Sequence, residues 1–241
     1  MAEGGRRLAR ILRIVAASAK PGVRTIELDH LAYDLITQGG DKPAFLGYRP
    51  GGAGKPYPAT LCASVNDGIV HGLPSNHILM DGDLLKLDLG LIHEKFYLDS
   101  AISIIVGKPT DEAKKLIAVT EKALVLGIAA AKAGNTLGDI GHAVQTYVEK
   151  NGFSVIRSLT GHGIGRKLHE DPSVYNFGRP GEGERLVAGM TIAIEPMVAA
   201  GRYELKQLKD DSFITKDGSL GAHFEHTIVV TEKGGHILTR I

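Results

Sequence analysis

Gly82-Asp83-Leu84-Leu85-Lys86-Leu87-Asp88 and Gly189-Met190-Thr191-Ile192-Ala193-Ile194-Glu195 share one form: a glycine, a short apolar run and a terminal carboxylate. Short apolar runs bounded by turn residues read as strands. Leu98-Asp99-Ser100-Ala101-Ile102 and Phe224-Glu225-His226-Thr227-Ile228 form a second such pair, each with an acid on its strand. Upstream, Lys20-Pro21-Gly22 followed by Glu27-Leu28 and His30 recurs as Lys132-Ala133-Gly134 followed by Asp139-Ile140 and His142, at a constant offset of 112 residues. Ala17-Ser18-Ala19 recurs as Ala129-Ala130-Ala131 at the same spacing. One match between short apolar runs is commonplace, whereas four in the same order make an internal repeat.

Each copy reads as a helix ended near glycine, then a second helix with Thr25 or Thr136 close to its start, then antiparallel strands. The segment from Glu112 to Lys132 also reads as helix, and no Pro/Gly/Ser-rich linker separates the copies. A sheet needs helices over one face, so the economical packing is one curved antiparallel sheet built by both halves with the helices outside. The expectation is an α/β chain, one domain over residues 1–241, with pseudo-twofold halves at about 1–108 and 109–241. Ligand sites often lie where such halves meet.

Composition narrows the function. The 241 residues carry 28 Lys+Arg against 27 Asp+Glu, a net charge of +1, which argues against a basic nucleic-acid surface. A single cysteine excludes an internal disulfide framework and a cysteine-based structural zinc site, and points to a reducing, cytoplasmic setting. The N-terminus interleaves Arg6, Arg7, Arg10 and Arg13 with Leu8, Ile11, Leu12, Ile14 and Val15, the pattern of an amphipathic helix with a solvated basic face. It holds no apolar run of membrane-spanning length, and neither a membrane partner nor a signal peptide is expected.

The repeat brings Asp88, Asp99, Glu195 and Glu225 to the seam. Four carboxylates at short range raise one another's pKa unless cations neutralise them, so the set points to a metal site. Gly161-His162-Gly163-Ile164-Gly165 places an imidazole where backbone can be approached closely. His169-Glu170-Asp171-Pro172 and His71-Gly72-Leu73-Pro74 repeat a His-x-x-Pro pattern in the two halves. Gly51-Gly52-Ala53-Gly54-Lys55 is not a phosphate loop, because Arg49 stands at the required first glycine and Pro56 at the Ser/Thr.

The ordered set His71-Gly-Leu-Pro, Leu87-Asp88, Leu98-Asp99-Ser100, Gly161-His162-Gly163-Ile164-Gly165-Arg166, His169-Glu170-Asp171-Pro172, Ile194-Glu195-Pro196-Met197 and Glu225-His226-Thr227-Ile228 resembles the type I methionine aminopeptidases. The resemblance runs from about Ala2 to Leu238 and implies their two-half pita-bread fold. It implies two divalent ions, with Asp88 and Asp99 on one, His162 and Glu195 on the other, and Asp99 and Glu225 bridging. An oxygen-rich set with one imidazole suits Mn, Fe or Co as well as Zn. The implied reaction is removal of N-terminal methionine by a metal-bridged water or hydroxide, Glu195 assisting the proton transfer, with a small second residue preferred. His169 is implied on the peptide carbonyl and His71 near the scissile nitrogen. Phe45, Tyr48, Tyr57, Cys62 and Leu168 are implied to line an apolar pocket for the methionine side chain. The expected partners are Met-X peptides and nascent chains, with ribosome association through the basic first helix and a monomeric state.

The chain departs from the family pattern at Asp211 and Ser212, where an aromatic residue, often Trp, is usual; Phe213 stands close by. The Arg49 to Pro58 segment is longer than in compact relatives, and Leu98 replaces the usual glycine before Asp99. Two other readings stay open on the residues: a proline-specific peptidase of the same fold, and a peptide-binding protein that has lost catalysis. Intact candidate ligand positions weigh against the second.

Overall fold

The protein is described by a computed structural model covering residues 1–49 and 55–241. The stretch Gly51-Gly52-Ala53-Gly54 lies outside the described residues. Helices α1 (Ala2–Ser18) and α2 (Thr25–Gln38) precede strands β1 (Lys42–Pro43), β2 (Leu61–Val65), β3 (Gly68–Val70), β4 (Leu84–His93) and β5 (Phe96–Ile105). The second half starts with α3 (Asp111–Ala130) and α4 (Leu137–Lys150), followed by β6 (Ser154–Val155), β7 (Gly161–Gly163), β8 (Glu170–Val174) and β9 (Thr191–Ile194). Short strands β10 (Met197–Ala199), β11 (Leu205–Gln207), β12 (Phe213–Thr215) and β13 (Gly221–His223) lead to β14 (His226–Thr231) and β15 (Gly234–Ile237).

The repeat has a physical basis in its turns. Gly22 and Gly134 have φ of 93° and 92°, a region open to glycine and strained for other residues. Gly22 N donates to Leu79 O at 2.8 Å, and Gly134 N to Leu186 O at 2.9 Å. One turn later the helix starts are tied alike: Glu27 Oε2 accepts from Arg24 N at 2.8 Å and Asp139 Oδ2 from Thr136 N at 2.7 Å.

Among the described residues, the pairings between the named strands are antiparallel. Among the described residues the strands form four ladders, of which β4 with β1, β2 and β5 is the main one of the first half. The order β15-β14-β9-β7-β8 is the main one of the second. Helix α1 follows the expected amphipathic pattern, burying Leu8, Ile11, Leu12 and Val15 against the first ladder while Arg6, Arg10 and Arg13 stay exposed. Each such side chain contributes about 1.5–3 kcal/mol on burial. Helices α3 and α4 cover the second half through Leu116, Val119, Leu124, Ile140 and Val144.

The halves meet along a line of hydrogen bonds between β5 and the chain around β13 and β14. Thr227 Oγ1 accepts from Asp99 N at 3.0 Å and donates to Asp99 O at 2.8 Å. Glu225 N donates to Ala101 O at 2.9 Å, and Ser100 Oγ donates to Glu225 O at 2.9 Å. Ser103 Oγ donates to His223 O at 2.8 Å and accepts from His223 N at 2.9 Å. Successive partners step by two residues in opposite directions, which is antiparallel alignment across the seam.

Candidate metal centre

Strand alternation explains the convergence of the acids. Asp88 faces Ala101 and Gly90 faces Asp99 across β4 and β5, so the two aspartates are diagonal neighbours on one face. In the second half His162 and Thr227 both pair with Ala193. Glu195 and Glu225 continue that same face two residues on from Ala193 and back from Thr227. Gly161 lets β7 lie tight against β9, since a Cβ there would collide with Ala193 O.

Asp99, His162 and Glu225 each present a ligating atom within 4.8 Å of the other two, and all three are buried. Glu195 Oε1 stands 3.6 Å from His162 Nε2. Burial pushes the Asp88 carboxyl up to about 6, with Glu195 adding to the rise and His223 opposing it. Burial likewise raises Glu195 to about 7. Asp99 and Glu225 are driven well above the ordinary carboxylate range, by burial first and then by the neighbouring acids. Asp88 Oδ1 and Glu225 Oε1 are buried without a hydrogen-bond partner. Unpartnered carboxylate oxygens that cannot all ionise together are the donor set a divalent cation satisfies.

The two other histidines border this centre. The His169 ring lies edge-on to His162 with centroids 4.3 Å apart, and Tyr48 Oη is 2.6 Å from His169 Nδ1. Crowding by surrounding protein, then His162 and His71, lowers His169 to about 3, so its imidazole is neutral. His71 follows β3 with φ of 59°, a backbone strain for a side-chain-bearing residue that functional positions often carry. Its ring packs edge-on against Phe213 at 5.7 Å. Phe213 thus supplies an aromatic wall beside the Asp211 and Ser212 positions where the sequence lacks one.

Phe45, Cys62 and Leu168 form a hydrophobic cluster with Ala44 and Ile164, separate from the main cores, with Tyr48 and Tyr57 packed against it. Tyr57 stands edge-on to Phe45 at 6.4 Å, and its hydroxyl donates to Leu61 O at 3.1 Å. Tyr48 belongs to both groups, joining the apolar cluster to His169 and through it to His162.

The pattern of metallopeptidase family M24 matches residues 1–232. The chain belongs to metallopeptidase family M24. Methionine aminopeptidase of Clostridium perfringens is 45% identical over 242 residues, covering 100% of this chain and 95% of that protein. Methionine aminopeptidase 1 of Bacillus subtilis is 44% identical over 242 residues, with the same coverage of 100% and 95%. The crystal structure of methionine aminopeptidase from Thermotoga maritima superposes with a TM-score of 0.95 at 42% identity, covering 100% of this chain and 95% of that one. The pita-bread fold and the methionine aminopeptidase resemblance read from the motifs therefore hold, and a metallopeptidase of this family fits divalent metal at the buried Asp/His/Glu group.

Several residues of this M24 centre escape the sequence reading. Thr227 staples Asp99 in place, and Asn176 Nδ2 donates to Glu195 O at 2.9 Å. His223 Nε2 stands 3.5 Å from Glu195 Oε2. Thr227 and His223 lie two residues to either side of Glu225, so the period-2 alternation that aims Glu225 inward is the signal for both. No helix among the described residues is long and apolar enough to cross a membrane.

Proposed function

We propose that this M24 metallopeptidase removes N-terminal methionine from peptides and nascent chains, preferring a small second residue. The observation that carries the reading is the linkage of a buried carboxylate–histidine centre to a separate apolar cluster through the Tyr48 to His169 hydrogen bond. Such a pairing suits a substrate with an apolar first side chain and a scissile amide one bond further on. Residues 1–241 act as one catalytic unit, since ligands come from both halves.

In this reading Asp88 and Asp99 would hold one divalent ion, His162 and Glu195 a second, with Asp99 and Glu225 shared between them. Bound there, Co, Mn, Fe or Zn would supply Lewis acidity and lower the pKa of water toward neutrality. Glu195 would serve as the proton acceptor for the attacking water. With the Tyr48 hydroxyl as hydrogen-bond donor to His169 Nδ1, the ring would carry its proton on Nε2 and donate from there to the peptide carbonyl as negative charge grows on it. His71 is held by its left-handed backbone and by Phe213 to meet the scissile nitrogen. Phe45, Tyr57, Cys62 and Leu168 enclose the methionine side chain. The exposed arginines of α1 are suited to an anionic ribosomal surface during processing of nascent chains.

The test is a panel of Met-X peptides and Xaa-Pro peptides assayed with each of the four metals in turn. Hydrolysis of Met-Ala-Ser and its small-residue relatives is expected, with loss on chelation. Preferential cleavage of Xaa-Pro peptides, or no cleavage with any divalent ion, refutes the proposal.

A further inference from the structure

His223 is 1% exposed, and neither of its ring nitrogens has a hydrogen-bond partner. Leaving a buried polar group unpaired costs about 1–3 kcal/mol, so such an atom calls for a partner. Its surroundings are specific. His223 Nε2 lies 3.5 Å from Glu195 Oε2, while His162 Nε2 lies 3.6 Å from the other oxygen, Oε1. The Glu195 carboxylate therefore has one imidazole at each oxygen. The His223 backbone cannot swing away, because both its N and its O are held by the Ser103 hydroxyl across the seam. Asn176 in turn holds the Glu195 carbonyl oxygen. A small rotation of the Glu195 or His223 side chain closes the gap to hydrogen-bond length.

The ligating atoms within 4.8 Å of one another come from Asp99, His162 and Glu225, and His223 is not in that group. A donor outside the group, on the far oxygen of a candidate ligand, has the placement of a group that orients a ligand. The geometry points to His223 as a positioning residue that donates from Nε2–H to Glu195 Oε2 and so keeps Oε1 turned toward His162. This deepens the proposed metal centre and rests on it. Glu195 would otherwise be free to rotate about its terminal torsion, presenting either oxygen to the ion.

The experiment uses full-length protein labelled with ¹⁵N-histidine and loaded with Zn, with the His223 signals identified by their loss in His223→Gln. Two-bond nitrogen–proton correlations are expected to show His223 as the Nε2–H tautomer in the loaded protein. An Nδ1–H tautomer, or Nε2 bound to zinc, overturns the assignment. Zinc-buffered titrations of the variants give the second arm. His223→Leu is expected to weaken zinc affinity about 10–100-fold, while His223→Gln, which keeps an N–H donor, stays within about fivefold of wild type. Wild-type affinity in a folded His223→Leu protein overturns the proposal, and the tautomer measurement decides it if that variant does not fold. Wild-type protein that binds no zinc overturns the metal-centre reading itself and the His223 role with it.

Discussion

Removing metal from this protein should reverse the usual response of a folded domain to mild alkali. Asp99 and Glu225 have native pKa values well above the ordinary range because they are buried beside other acids, so the metal-free native state holds protons that the unfolded chain releases. A raised carboxyl pKa stabilises the fold at low pH, and that stability is lost as pH rises through the native value. Glu195, raised to about 7, adds part of a proton near neutrality. Lys86 works in the opposite sense: burial lowers it to about 7, so above that pH the native state lacks a proton that the unfolded lysine keeps. His169, His223 and His226, lowered to about 3, 4 and 4, matter only as pH falls toward and below the ordinary histidine value of 6.5. Between pH 6.5 and 8.5 the raised carboxyls and the lowered lysine act in opposite senses, so the slope is set by the net number of protons the native state retains, and one such proton sets the scale. One proton is worth about 1.4 kcal/mol per pH unit, giving a loss of about 3 kcal/mol across the window. For a chain of this size that is a fall in Tm of about 6–12 °C. Calorimetry of chelator-treated protein in half-unit pH steps measures it directly. Metal-loaded protein should show no such fall, because ions bind the ionised carboxylates and are favoured by rising pH. A metal-free Tm that is flat or rises from pH 6.5 to 8.5 refutes the reasoning.

Three substitutions probe other parts of the centre. Thr227→Val removes both hydrogen bonds to the Asp99 backbone and should cost about 1–3 kcal/mol by urea unfolding. The same change should weaken metal affinity about tenfold by calorimetric titration. Tyr48→Phe deletes the hydroxyl on His169 Nδ1 and should lower kcat/KM for a Met-Ala peptide about tenfold while metal content stays at wild type. His71→Ala should cut turnover about a hundredfold with metal content retained, and wild-type turnover would remove His71 from the reaction.

The halves and the four acids were legible because each repeat carries a local requirement that a sequence must advertise. Gly22 and Gly134 mark the same left-handed turn, and Asp88 and Glu195 each end an apolar strand. The five pocket residues came from family resemblance, since nothing in their spacing joins Phe45 and Cys62 to Leu168; only the folded chain shows them in one cluster. Thr227, Asn176 and His223 were not legible for a related reason. Threonine, asparagine and histidine are ordinary residues at strand ends, and what distinguishes these three is a partner far away in the chain. Alternation about Glu225 marks two of them as inward-facing, but it cannot say that Asp99 or Glu195 waits opposite. The aromatic wall at Phe213 was displaced by one or two positions from the family pattern, and the contact with His71 depends on the β3–β12 pairing.

The seam between β5 and the β13–β14 segment also fixes when, during synthesis, the centre can exist. Its hydrogen bonds join residues 120 to 128 positions apart, with His223, Glu225 and Thr227 as the distal partners. A ribosome-bound first half carries Asp88 and Asp99 but nothing that can align them with Glu195 or Glu225. An enzyme that trims the beginnings of other chains therefore assembles its own centre only once residues 223–227 have been made, and a chain stopped before them lacks both Glu225 and the seam.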